Sequence, residues 1–328
     1  MTLFRSIDDN FFDIPEYLPI SKDYKESLRL ESLQKYIASA DLVRVYSDPM
    51  LERGLILNPN VVKVVAPIVW RFISTGKINR RKDNIIKIVY ATSRQEDYLA
   101  EIFKPALMRI IEEYSNKIEV YFLGYNPPEF NKYRNVFFKP MIFDYEAYMK
   151  SFSRAGYDIG LAPMLNDIFH RSKTNNKFRE YGASNIAGIY SNVEIYSNCV
   201  KHGYTGYLVE NDSNEWYQAM KKLIDSEIHR NQIQKAAYEF VYTNYSDKDF
   251  SRIWYEQIIR VLSQSRTGHY IHSILPSTAT SKANYPSIFI REIGSIVLRG
   301  RYTMIPNYIK MLITYWKIQI QLRLTRGK

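Results

Sequence analysis

From Ile85 to Glu210, short β-branched or aliphatic runs alternate with stretches of helical spacing, and this alternation limits what the chain can fold into. Strand-like runs fall at 85–91, 118–124, 136–138, 157–162, 187–191 and 206–210. Helices are expected between them at 96–114, 145–154, 173–184 and 194–202. Strands that alternate with helices build parallel sheets through crossovers, so the expected fold class is α/β, with a complete doubly wound, Rossmann-like parallel sheet. Downstream, Trp216, Ala219, Met220, Leu223 and Ile224 recur at helical spacing, as do Ile233, Ala236, Ala237, Phe240 and Val241. Both stripes read as core-facing helix sides. A further helix is expected over 247–263.

The first seventy residues look like part of a second α/β unit. Residues 3–8 read as a short strand ending in Asp8-Asp9, followed by a loop with Phe11, Phe12, Pro15 and Pro19. A helix over 27–37, strands at 41–47 and 61–65, and a helix start at Ser47-Asp48-Pro49 complete this region. Two helices and three strands of this length cannot bury both faces of a parallel sheet unaided. The expected organisation is a partial N-terminal α/β domain at 1–76 and a complete α/β domain at 77–246. A crossing helix at 247–265, a linker at 266–287 and a basic amphipathic tail at 288–328 follow.

Composition narrows the functional classes. With 46% hydrophobic and 24% charged residues, the 328-residue chain is of globular type. A single cysteine, Cys199, rules out an internal disulfide framework and points to a reducing cytoplasm. The first ten residues carry no apolar signal region, and no long uncharged apolar run suggests a bilayer span. The net charge of +11 is uneven. Residues 288–328 hold eight Lys or Arg against Glu292 alone, a net +7 that leaves +4 for the rest. Charge concentrated in one tail argues against nucleic acid as the partner. It suits an interfacial helix on an anionic membrane surface, with packing against the globular body as the alternative. His269 and His272 are three apart without a third ligand nearby, so no metal site is expected.

The chemistry-bearing stretch is 172–181, Ser-Lys-Thr-Asn-Asn-Lys-Phe-Arg-Glu-Tyr. Read as a helix from Ser172, it puts Lys173, Lys177 and Glu180 on one face. Lysines in a first turn oppose the helix dipole, a cost that an anion at the helix start would offset. The expectation is a phosphate-bearing ligand there, with Glu180 deeper to take a hydroxyl. The alternative is a solvated face with a Lys177–Glu180 pair. Ligands of open parallel sheets bind outside the carboxyl ends of the strands. Two other segments fall at that edge: Thr92-Ser93-Arg94, suited to phosphate oxygens, and Gly124-Tyr125, where a backbone could approach a base.

These residues resemble a known family. The run Asp158-Ile-Gly-Leu-Ala-Pro163, then Lys173, Lys177 and Glu180-Tyr181, then His202-Gly203-Tyr-Thr-Gly206-Tyr-Leu-Val-Glu210, resembles the donor domain of retaining family 4, "group 1", glycosyltransferases. The likeness covers roughly residues 3–262 and is nearest to bacterial surface-polysaccharide members, where a strand ends in an acidic pair as in Ile7-Asp8-Asp9-Asn10. It implies a two-domain GT-B fold with a nucleotide-diphosphate sugar bound in the C-terminal domain. Glu180 then matches the ribose-holding second glutamate of a paired-glutamate motif, and Thr92-Ser93 matches the small-residue loop near the diphosphate. Lys173 and Lys177 match lysines at the same helix, Tyr181 lies beside the motif, and Asp8 and Asp9 fall on the acceptor side. Three departures stand out: Ser172 occupies the place of the first glutamate, the turn after the helix, Ser184-Asn185-Ile186-Ala187-Gly188-Ile189, lacks the family's proline, and the family's N-terminal domain begins about a hundred residues before Asp8.

The expected activity is therefore transfer of a sugar from a nucleotide sugar to a lipid-linked or glycan acceptor. It needs no cofactor, and it takes place in the cytoplasm at the inner membrane face. Lys173, Lys177 and Glu180 are the residues expected to serve it, the lysines stabilising the departing diphosphate. The alternative is a truncated or degenerate donor domain that binds a nucleotide sugar, or a partner, without turnover.

Overall fold

The computed structural model describes residues 4–18, 20–25, 27–74, 85–92 and 98–264. Two parallel sheets are present. The smaller holds β1 (Phe4–Ser6), β2 (Leu42–Val45) and β3 (Val61–Lys63), in that order. Its helices are α1 (Ile20–Lys25), α2 (Ser27–Ala38) and α3 (Asp48–Leu57).

The larger sheet contains β4 (Ile86–Ala91), β5 (Ile118–Leu123), β6 (Val136–Lys139), β7 (Ile159–Ala162), β8 (Ala187–Ser191) and β9 (Tyr207–Val209). Its helices are α4 (Lys104–Glu113), α5 (Tyr145–Arg154), α6 (Ile168–Arg171), α7 (Asn176–Ala183), α8 (Glu194–Ser197), α9 (Ser213–Asp225), α10 (Glu227–Asn244) and α11 (Asp247–Gln264). The strand order is β6-β5-β4-β7-β8-β9, every pair parallel. Winding runs outward from β4 on one side and resumes at β7 on the other. The topological switch point, where open α/β sheets take ligands, is thus between β4 and β7.

Burial on both faces explains the near-continuous apolar strands. Along β4, Ile86, Ile88 and Tyr90 join the core beneath α4 and α9, while Val89 and Ala91 face the core shared with α5 and α7. Capping carboxylates and a hydroxyl start several helices: Asp144 accepts from the Ala147 amide, Asp212 from those of Asn214 and Glu215, and Ser226 from that of His229.

The smaller sheet packs its helices on one face, and α11 covers part of the other. Val43, Val45, Met50 and Val61 pack with Ile37 between sheet and helices. On the opposite side α11 returns. Trp254 meets Phe4 edge-on at 6.4 Å, and the Arg44 guanidinium lies over the rings of Phe250 and Trp254 at 5.2 and 5.0 Å. The crossover between the sheets packs with the larger one: Ile68 pairs with Ser246, and Trp70 lies against Tyr238 and Tyr242.

Three expected helices need correction. The helix placed at 96–114 begins at Lys104 after a 3-10 turn at Ala100–Ile102, because Pro105 belongs in a first turn and would break a helix interior. The helix placed at 194–202 ends at Ser197, and the chain then turns, the Lys201 amide donating to Thr205 Oγ1. Residues 173–175 are not helical: Ser172 closes the single turn of α6, and α7 starts at Asn176. The stretches 266–287 and 288–328 lie outside the described residues, as do Ser93 and Arg94. Among the described residues no helix is long and apolar enough to cross a membrane.

Candidate functional site

The carboxyl edge of the larger sheet gathers most of the expected residues, in two groups. At the ends of β4 and β5, the Thr92 amide donates to the Leu123 carbonyl at 3.0 Å and the Gly124 amide to the Lys139 carbonyl at 2.8 Å. Gly124 adopts φ +79°, and a Cβ there would stand 2.0 Å from the Thr92 carbonyl oxygen. Glycine is thus what lets these two strand ends close together. Tyr125 packs on the core under α4, beside Lys104, whose buried ammonium pairs with Glu101 and Glu129.

The second group follows β7. Lys177 and Glu180 lie three apart on α7, and their side chains pair at 2.8 Å. Glu180 is 5% exposed. Its Oε2 also accepts from the Tyr148 hydroxyl at 3.4 Å, and Tyr145, 43% exposed, is a further partner. Burial, reinforced by the Glu180 charge, pushes the Tyr145 and Tyr148 phenols well up. Both therefore stay protonated as donors. Glu180 thus lies beside the Tyr145 and Tyr148 phenols with Lys177 at its side, and a carboxylate accepts hydroxyl hydrogens.

Lys173 lies in the non-helical link and not on the face of α7. Its Nζ pairs with Asp9 Oδ1 at 2.8 Å and sits 4.3 Å from the centre of the Phe169 ring. One expected acceptor-side carboxylate and one expected donor-side lysine are thus brought together across the two sheets. Asp8, by contrast, is exposed and accepts from the Ser6 hydroxyl at 3.2 Å. Ser172 is 1% exposed and serves as a joint. Its hydroxyl donates to the Ile168 carbonyl and accepts from Asn10 Nδ2, while Ser47 Oγ donates to its carbonyl at 2.8 Å. Tyr181 has no surface for a ligand: it is fully buried, and its hydroxyl donates to the Leu161 carbonyl at 2.8 Å. Its expected place in the donor site is corrected to one in the core, because the helix face that carries Glu180 turns the next residue inward onto β7.

Three residues that sequence reasoning overlooked hold this edge in place. His170, fully buried, bonds Asp167 Oδ2 through Nδ1 and the Tyr98 hydroxyl through Nε2, each at 2.7 Å. Asp167 also caps α6 through the His170 amide and accepts from the Tyr17 hydroxyl at 2.9 Å. Burial alone would raise the Asp167 carboxyl, but the bonds from His170 and Tyr17 outweigh it and hold the carboxyl below its usual range. Arg179, 4% exposed, bonds the Pro67 carbonyl, Asn175 and Asn176, and fixes the start of α7 to the crossover between the sheets. Burial pushes its guanidinium down from its ordinary value. The only advance signal was Asp167, three residues before His170, which has the spacing of a helix cap.

No protein-family model matches this chain, and no curated protein matches it by sequence. Solved structures do match in fold. HepE from Anabaena, in complex with UDP and glucose, superposes with a TM-score of 0.58 at 12% identity, over 79% of this chain and 71% of its own. TarM from S. aureus, in complex with UDP, fondaparinux and α-GlcNAc-glycerol, gives 0.55 at 13% identity, over 77% of this chain and 50% of its own. Sucrose-phosphate synthase from Thermosynechococcus elongatus gives 0.60 at 15% identity, over 80% and 68%. The parallel α/β sheet, its helices and these GT-B glycosyltransferase neighbours define a Rossmann-like GT-B fold for this chain.

Proposed function

We propose that the chain is a glycosyltransferase that takes a sugar from a nucleotide-diphosphate donor bound at the carboxyl edge of the larger sheet. The observation that carries this reading is the Lys177–Glu180 pair on α7, the second helix after the switch-point strand β7, beside the Tyr148 hydroxyl. Glu180 accepts the ribose hydroxyls, as a buried carboxylate surrounded by phenol donors can. Lys177 and Lys173 face the diphosphate. As the acceptor hydroxyl oxygen bonds to the sugar carbon, its proton passes to the departing diphosphate. The bond from that carbon to the phosphate oxygen breaks, its electron pair moves onto the diphosphate, and the ammonium groups and the first-turn amides of α7 stabilise the growing charge. The β4–β5 end at Thr92 and Gly124 lets the ligand approach the backbone. The UDP bound to HepE and TarM supports uridine as the first base to test.

Retention at the sugar carbon is supported by the family resemblance alone. For the acceptor we propose a lipid-linked or polysaccharide chain of a bacterial cell surface, met at the inner membrane face through the basic segment 288–328, whose net charge of +7 favours anionic lipid. Asp8, exposed just past the end of β1, is the residue we assign to the acceptor side.

A second reading, binding of a nucleotide sugar without turnover, is favoured by one observation. Ser172, at the place of a motif glutamate, is committed to Asn10 and Ser47 as a joint and offers nothing to a sugar. Incubation with UDP-sugars separates the two. Release of UDP, lost in Glu180→Gln, supports the enzyme. Tight UDP binding with no release in the presence of any glycan or lipid acceptor supports the binder.

A further inference from the structure

The Asp9–Lys173 pair is uneven in a way that bears on ligand choice. Lys173 is buried to 14% side-chain exposure, whereas Asp9 keeps 44%. A nearly buried ammonium needs an anion beside it at all times, because leaving it unpaired costs the desolvation of a full charge. A half-exposed carboxylate can return to water at little cost. The Phe169 ring beneath the ammonium holds Lys173 in place, so the exchangeable member is the anion and not the lysine. Losing the pair would not open the joint, because Asn10 to Ser172, Ser47 to Ser172 and Tyr17 to Asp167 hold the same segments together without it.

We propose that Asp9 is a specificity-determining residue of the donor site: it occupies Lys173 in the empty protein and yields it only to an anion that pairs more strongly than a carboxylate. This rests on the nucleotide-sugar reading above. The terminal phosphate of a free nucleoside diphosphate, doubly charged with three acceptor oxygens, meets the requirement, whereas in the nucleotide sugar that phosphate is a diester with one charge and competes less well; the ammonium stays paired in both states. An uncharged nucleoside cannot displace Asp9 and binds without touching it. Asp9 therefore weakens all diphosphate binding somewhat and excludes weaker anions from Lys173.

The test is calorimetric titration of the full chain with UDP and with uridine, on the parent, Asp9→Asn and Asp23→Asn. Asp23→Asn removes the same charge from helix α1, where Asp23 is half-buried and pairs with Arg29 rather than Lys173. Asp9→Asn is expected to bind UDP about two- to fivefold tighter, the scale of one partly exposed ion pair, with uridine unchanged. Asp23→Asn leaves both alone. The gain must also vanish in the Asp9→Asn/Lys173→Gln double variant when compared with Lys173→Gln alone, which gives a second readout should the single variant prove unstable. Unchanged or weaker UDP binding in Asp9→Asn overturns the inference, as does an equal gain in Asp23→Asn or a gain that persists without Lys173. Absence of UDP binding by the parent is a different result: it overturns the donor-site reading for uridine, and this inference with it.

Discussion

Gly124→Ala tests whether the β4–β5 end is built as closely as the structure has it. Two separate costs meet at this position. The first is conformational: φ +79° is a region where an L side chain is strained by about 1 kcal/mol or somewhat more. The second is steric. The new methyl would stand 2.0 Å from the Thr92 carbonyl oxygen, a backbone atom that cannot rotate aside. Relief requires the strand ends to part by more than 1 Å, which strains the bonds from Thr92 to Leu123 and from Gly124 to Lys139, for about 2–3 kcal/mol. The total is about 3–4 kcal/mol. Gly203→Ala isolates the first cost, because Gly203 has φ +72° with nothing within 4 Å of its added Cβ. It should lose only about 1 kcal/mol. Urea unfolding followed by tryptophan fluorescence measures both, as shifts in midpoint at constant slope. Equal losses in the two variants would refute the close approach of Gly124 to Thr92.

Other expectations concern the second group and the core behind it. Glu180→Gln and Lys177→Met should each weaken UDP binding about tenfold or more in calorimetry, with the losses less than additive in the double variant because the two side chains share one ion pair. Tyr181→Phe should cost about 1–2 kcal/mol in urea unfolding, from the Leu161 carbonyl left without its donor, and leave UDP affinity unchanged. The Asp167 carboxyl is depressed in the folded chain, so its contribution to stability is fully present above its unfolded value of about 3.9 and is lost as pH falls through the lower folded value. Thermal unfolding between pH 6 and pH 3 should show that acid loss in the parent and less of it in Asp167→Asn.

Periodicity was legible wherever the local pattern and the tertiary role agree. The expected strand at 187–191 and helix at 145–154 coincide with β8 and α5, and the βα alternation foretold the parallel sheet. The helix at 104 could also have been read more closely, since Pro105 marks a first turn. The region 167–175 was not legible. A one-turn helix such as α6 has no lasting stability alone. It exists because His170 ties it to Tyr98 and because Asp167 and Ser172 join it to Tyr17 and Asn10, residues some 70 and 150–162 positions away. No local spacing records such contacts, and so Lys173 was placed on a helix that begins three residues later. For Lys177 and Glu180 the helical spacing sufficed, because both lie on the true helix.

The central claim is that a nucleoside diphosphate binds beside Lys177 and Glu180 at the carboxyl edge of the larger sheet. Titration of the full chain with UDP, GDP and ADP, repeated on Glu180→Gln, tests it directly. The account predicts that one of the three binds the parent one-to-one and binds the variant much more weakly, with the thermal unfolding of the two proteins alike. Binding of none of them, or binding that Glu180→Gln leaves untouched, would contradict it.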